Sequence, residues 1–103
     1  MPQLLKVADK KTLEGVRSMK VEAGGQNIAL FSVNGTCHAI GDTCTHRGGP
    51  LSEGTLEGTI VTCPWHRGKF DVTTGKAIAP PARIDVASYR ITVEGEDINV
   101  EIP

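Results

Sequence analysis

Cys44-Thr45-His46-Arg47-Gly48-Gly49-Pro50-Leu51 and Cys63-Pro64-Trp65-His66 are the two stretches whose reading decides this chain, and sixteen residues separate His46 from Cys63. Each brings one thiol and one imidazole, within a few residues, into a segment dense in Gly and Pro. Such segments are loops, and we place them at residues 41–54 and 63–68. Working outward, short apolar runs flank both. Gln26 to Val33 and Thr36 to Ile40 read as strands joined by Asn34-Gly35, the strongest short hairpin signal. Thr59-Ile60-Val61-Thr62 and Lys69 to Val72 read as a second hairpin. Ser88 to Val93 and Ile98 to Ile102 flank a turn at Glu94-Gly95-Glu96-Asp97. A single helical turn is expected from Asp9 to Glu14, capped by Asp9 and stopped by Gly15. No segment sustains a 3.6-residue apolar period, so the chain is expected to be all-β.

A length of 103 residues suits one domain spanning 1–103, with a modest core. Eleven Lys and Arg against twelve Asp and Glu give a formal charge of −1. That leaves no basic field for a phosphate backbone or an anionic membrane, so nucleic acid is set aside as a partner. No apolar run reaches spanning length, and the opening residues lack the apolar stretch of a signal peptide. A cytoplasmic protein is expected. Three cysteines cannot form a self-contained disulfide framework, which points to metal or thiol chemistry.

Adjacent hairpin loops lie side by side, so Cys44, His46, Cys63 and His66 can converge on one site. Two Cys and two His are also a zinc ligand set. Zinc fingers, however, usually pair like with like, whereas each loop here mixes a thiolate with an imidazole. A two-iron cluster suits that order, with Cys44 and Cys63 on one iron and His46 and His66 on the other. Two ferric ions, two sulfides and two thiolates are formally neutral, while four thiolates would leave two negative charges. A neutral oxidised cluster accepts an electron more readily, which is why histidine ligation raises the potential.

Through Cys44-Thr45-His46-Arg47-Gly48-Gly49-Pro50-Leu51, Cys63-Pro64-Trp65-His66, Phe70-Asp71 and Gly75, nearly the whole chain resembles the Rieske ferredoxin family. The resemblance implies stacked antiparallel sheets, N-terminal strands included, with a small cluster-binding subdomain that carries one Rieske 2Fe-2S cluster. It implies a one-electron carrier, not itself an enzyme, working as a monomer between an NAD(P)H-dependent flavin reductase and a terminal oxygenase. A Rieske-like small subunit of another redox enzyme, such as assimilatory nitrite reductase, is the second reading. A zinc-stabilised binding module is the third. Each histidine is expected to ligate through Nδ1, with Arg47 and Arg67 beside the exposed imidazole edges. Arg67 stands where many members have a small residue. High-potential members carry additional cysteines at the positions of Gly49 and Trp65, and hydroxyl residues at those of Gly68 and Phe70. Their absence here implies a potential near the bottom of the Rieske range, roughly −150 mV.

The remaining residues admit plainer readings. Gly48, Gly49, Gly54 and Gly68 allow tight turns or close approach of backbone N–H groups to the sulfurs. Pro50 and Pro64 stiffen their loops. Trp65 either covers the cluster or fills the core. Cys37 reads as a small buried hydrophobe, and His38 as a strand residue of the opposite face without a ligand role. An oxygenase centre would need two further histidines and a carboxylate, and a reductase would need a dinucleotide-binding glycine motif; neither is readable.

Overall fold

The computed structural model describes residues 3–43, 49–65, 67–79 and 84–102. Its centre is the hairpin of β3 (Gln26–Val33) and β4 (Thr36–Gly41). Asn34 and Gly35 between them both take positive φ, 50° and 80°, as the two-residue type I′ turn requires. β3 is apolar over four consecutive residues because it is covered on both faces. Ile28 and Leu30 enter one core with Leu13, Ala39, Ile98, Val100 and Ile102. Ala29 and Phe31 enter another with Ile40, Leu51, Val61, Cys63, Phe70, Val72 and Val86.

Three antiparallel sheets build these two cores. The middle one places β3 and β4 between β2 (Ser18–Ala23) and β9 (Ser88–Tyr89). On one face lies the sheet of β1 (Gln3–Asp9), β11 (Asp97–Ile102) and β10 (Ile91–Glu94). On the other lies the smallest sheet, made of β5 (Thr55–Glu57), β6 (Ile60–Thr62), β7 (Lys69–Asp71) and β8 (Ala77–Ala79). The two hairpins and the closing strand pair expected from the sequence are all present.

Two expectations are corrected. The helix, α1 (Lys10–Val16), runs through Gly15 and ends only at Arg17, whose φ of 69° lets its N–H reach the Leu13 carbonyl at 2.6 Å. Burial of Leu13 outweighs the roughly 1 kcal/mol that a mid-helix glycine costs. Asp9 holds the N-cap position without a side-chain cap bond, and its carboxylate meets Lys6 at 3.2 Å. The expected strand Ser88 to Val93 is two strands. Ser88 and Tyr89 pair with β4, whereas Ile91 to Glu94 pair with β11. The chain changes sheets at Arg90, whose carbonyl accepts the Glu101 N–H at 2.9 Å.

Candidate metal centre

The first candidate loop leads from β4 of the middle sheet to β5 of the small sheet, and the second joins β6 to β7 within the small sheet. The first is closed at its base by backbone pairing. Asp42 carbonyl accepts the Leu51 N–H at 2.7 Å, and Thr43 bridges to Pro50 in antiparallel fashion. Leu51–Glu53 then form one 3-10 turn that drops Leu51 into the core shared with Cys63. The second loop closes on itself between β6 and β7. Cys63 N–H donates to the Gly68 carbonyl at 2.8 Å, and Arg67 N–H donates to the Cys63 carbonyl at 3.1 Å. That turn needs one left-handed residue, and it is Arg67, with φ 63°. Gly68, one of the four glycines expected to allow tight turns or a close backbone approach, is buried and accepts the closing bond.

The loops meet at Gly49. A Cβ on this residue would lie 2.7 Å from Cys63 Sγ and 3.0 Å from Trp65 Cγ. Gly49 does not take positive φ, so what it supplies is space and not conformational freedom. Gly54 is similar: a Cβ there would overlap the Thr62 carbonyl. Cys63 is 1% exposed within the larger core, while Trp65 is 65% exposed. Core filling is therefore overturned as the role of Trp65, whose ring stands on the outer side of the loop contact. The turn after β7 is built by Asp71, whose carboxylate accepts the Thr73 N–H at 2.9 Å and whose carbonyl accepts the Gly75 N–H at 2.7 Å. This explains the Phe70-Asp71 and Gly75 pattern: Phe70 points into the core and Gly75, at φ 81°, turns the chain into β8.

Of the four expected ligands, Cys63 is placed as just given. Cys44, His46 and His66 lie outside the described residues, as do Arg47 and Gly48. What is described fits an iron-sulfur group. A nearly buried sulfur, the soft donor such clusters take, faces a glycine of the opposite loop, with no Cβ to fill the space beside it. Cys37 is half-buried against the other core, and burial pushes its thiol up. His38 sits beside it opposite Phe31 on β3. Cys37 is thus partly and not fully buried, and His38 lies on the expected strand. Sequence reasoning missed Asp42, one of two buried polar residues among the described residues.

Residues 3–90 match the Rieske 2Fe-2S domain, and the chain belongs to that family. It holds a single Rieske cluster, and its fold is that of the Rieske ferredoxins. Among curated proteins it is similar to the ferredoxin component of the naphthalene 1,2-dioxygenase system of Pseudomonas putida, 37% identical over 97 residues, covering 93% of this chain and 91% of that one. Among solved structures it is similar to the Sphingomonas yanoikuyae B1 ferredoxin, with a TM-score of 0.91, 28% identity, and coverage of 98% and 100%. It also resembles a chain in the complex of reduced oxygenase and oxidized ferredoxin in carbazole 1,9a-dioxygenase, with a TM-score of 0.87, 32% identity, and coverage of 94% and 91%. No described helix is long and apolar enough to cross a membrane.

Proposed function

We infer that this chain is a Rieske ferredoxin that takes single electrons from an NAD(P)H-dependent flavin reductase and delivers them to a terminal oxygenase. It acts as a monomeric, cytoplasmic carrier built as one domain over residues 1–103, and it performs no substrate chemistry of its own. Cys44 and Cys63 hold one iron, and His46 and His66 the other. The observation that carries this reading is the contact of Gly49 with Cys63 Sγ and Trp65, which brings the two ligand-bearing loops against each other. The relatives' roles in dioxygenase systems and the solved ferredoxin–oxygenase pair support the partner class.

When bound, the cluster accepts and releases one electron. The rest belongs to the protein. The core around Cys63 keeps water from its thiolate side, and the closed turn 63–68 fixes its backbone, so little has to move when the charge changes. Trp65 and Arg67 are exposed on the same loop as His66. They offer an apolar and a cationic contact to a partner beside the electron's exit.

Iron and acid-labile sulfide analysis tests the reading, together with electron paramagnetic resonance after reduction. Two irons, two sulfides and a Rieske-type signal are expected, all lost in Cys44→Ser and Cys63→Ser. Colourless protein with stoichiometric zinc would refute it.

A further inference from the structure

Among the described residues only two polar residues are buried, Asp42 at 3% exposure and Ser52 at 8%, and the Asp42 carboxylate accepts the backbone N–H of Ser52. Asp42 Oδ1 accepts the Ser52 N–H at 2.8 Å, while its carbonyl accepts the Leu51 N–H at 2.7 Å. Its own N–H donates to the Asn27 carbonyl at 3.0 Å. Ser52 in turn accepts the Ser18 hydroxyl on its carbonyl at 3.0 Å. These four bonds tie the start and the end of the first cluster loop to each other. They also tie the start to residue 27 of β3 and the end to residue 18 of β2.

A carboxylate is an expensive way to satisfy one backbone N–H in a core, since its desolvation penalty far exceeds that of an apolar side chain. Its location gives the reason. The loop it closes carries Cys44 and His46, and the same loop lays Gly49 against Cys63 Sγ with no room for a single carbon. Backbone pairing at Leu51 and Thr43 sets which residues face each other, but one strand pair can pivot. The side-chain bond to Ser52, one residue further on, removes that pivot.

We propose that Asp42 is a positioning residue for the cluster: by bonding the Ser52 N–H it fixes the end of the first loop against its start, and so sets the approach of that loop's ligands to Cys63. This rests on the cluster-binding reading above. It makes the bond geometry at Oδ1 the property that matters.

The test uses the purified holoprotein of wild type, Asp42→Asn, Asp42→Ala and Asp42→Glu. Leu13→Ala serves as a control that opens the other core. Three quantities are measured: release of iron to an excess chelator, the paramagnetic resonance spectrum of the reduced cluster, and the unfolding temperature. Asp42→Asn keeps an oxygen acceptor in place and should release iron within about twofold of wild type. Asp42→Ala should release it roughly tenfold faster or more, the size of effect that support of a metal ligand typically has, with a broadened spectrum. Leu13→Ala should lower the unfolding temperature with release rate and spectrum unchanged. If Asp42→Ala yields no folded protein, Asp42→Glu decides, because it keeps the charge but displaces the oxygen; release faster than in Asp42→Asn is expected. Wild-type release and spectrum in Asp42→Ala or Asp42→Glu would overturn the proposal, as would equal acceleration in Leu13→Ala. A wild-type protein without iron and sulfide would instead refute the cluster-binding reading itself.

Discussion

Replacing Gly49 by alanine adds one carbon at the point where the two ligand loops touch, and its consequence follows from three distances. The new Cβ would stand 2.7 Å from Cys63 Sγ, 3.0 Å from Trp65 Cγ and 3.2 Å from Trp65 Cδ2. Ordinary carbon contacts lie at about 3.5–4.0 Å, and sulfur is larger, so something must retreat by on the order of 1 Å. The exposed Trp65 ring can swing into solvent. The Cys63 sulfur cannot, because it is buried and its backbone is bonded on both sides, to Gly68 and to Arg67. Metal–thiolate distances tolerate about 0.2 Å, several times less than the required shift. The apoprotein should lose about 1–3 kcal/mol of stability, as for overpacking by a methyl group, yet remain folded. The holoprotein should assemble little or no cluster. The assay is iron and acid-labile sulfide per chain, with circular dichroism to verify the fold. Gly54→Ala is the contrasting variant, since its Cβ meets the Thr62 backbone instead of a ligand and should weaken the small sheet. A Gly49→Ala protein with two irons per chain and the wild-type paramagnetic resonance spectrum would refute the reasoning.

Four further outcomes are expected. Arg67→Gly should raise unfolding free energy by about 0.5–1 kcal/mol in denaturant titrations. Relief of about 1–2 kcal/mol of left-handed strain outweighs the roughly 0.5–1 kcal/mol entropic cost of glycine. Arg47→Glu with Arg67→Glu should slow electron transfer to an acidic-rimmed partner and weaken its salt dependence in stopped-flow traces. Film voltammetry should place the wild-type midpoint at roughly −150 mV. Gly68→Ser with Phe70→Tyr should raise it by on the order of 100 mV, because each hydroxyl bond of about 1–2 kcal/mol stabilises the reduced cluster. Phe70 shares the core with Cys63; a wild-type midpoint well above 0 mV would overturn the assignment. Cys37 should alkylate more slowly than a free thiol at pH 8, since burial raises its pKa and leaves less thiolate, and Cys37→Ala should keep the cluster intact.

The parts of this protein that were legible in its sequence are those where one residue type answers one physical demand. Asn34-Gly35 marks a turn that needs positive φ twice, and Ile28 to Phe31 marks a strand covered on both faces. The ligand loops stood out because thiols and imidazoles are scarce and their pairing is chemical. What escaped depends on partners distant along the chain. β5 and β8 are three residues each, too short to show a period, and exist because β6 and β7 lie between them. The break at Arg90 follows from which sheet each neighbour joins. Asp42 was silent because its partner, ten residues on, is a backbone N–H that any residue but proline would offer.

The two cores divide the molecule by their dependence on metal. The core of Leu13, Ala23, Ile28, Leu30, Ala39, Ile98, Val100 and Ile102 takes no described residue from either cluster loop, and it lies between sheets whose longest strands run six to eight residues. The core around Cys63 includes Leu51 and Cys63 from the loops themselves and is closed by strands of three residues. Strands that short contribute few ladder bonds, so a cluster ligated from both loops, as proposed above, would supply much of what holds them. Iron removal should therefore open the molecule from one side. In hydrogen exchange on the apoprotein, amides of β5 to β8 should lose protection, while those of β1, β2 and β11 retain it. The strands β3 and β4 serve both cores and should lie between, since opening the small sheet uncovers Ala29, Phe31 and Ile40. Uniform loss of protection across all three sheets would show that the cores unfold as one unit and that the cluster stabilises the whole chain.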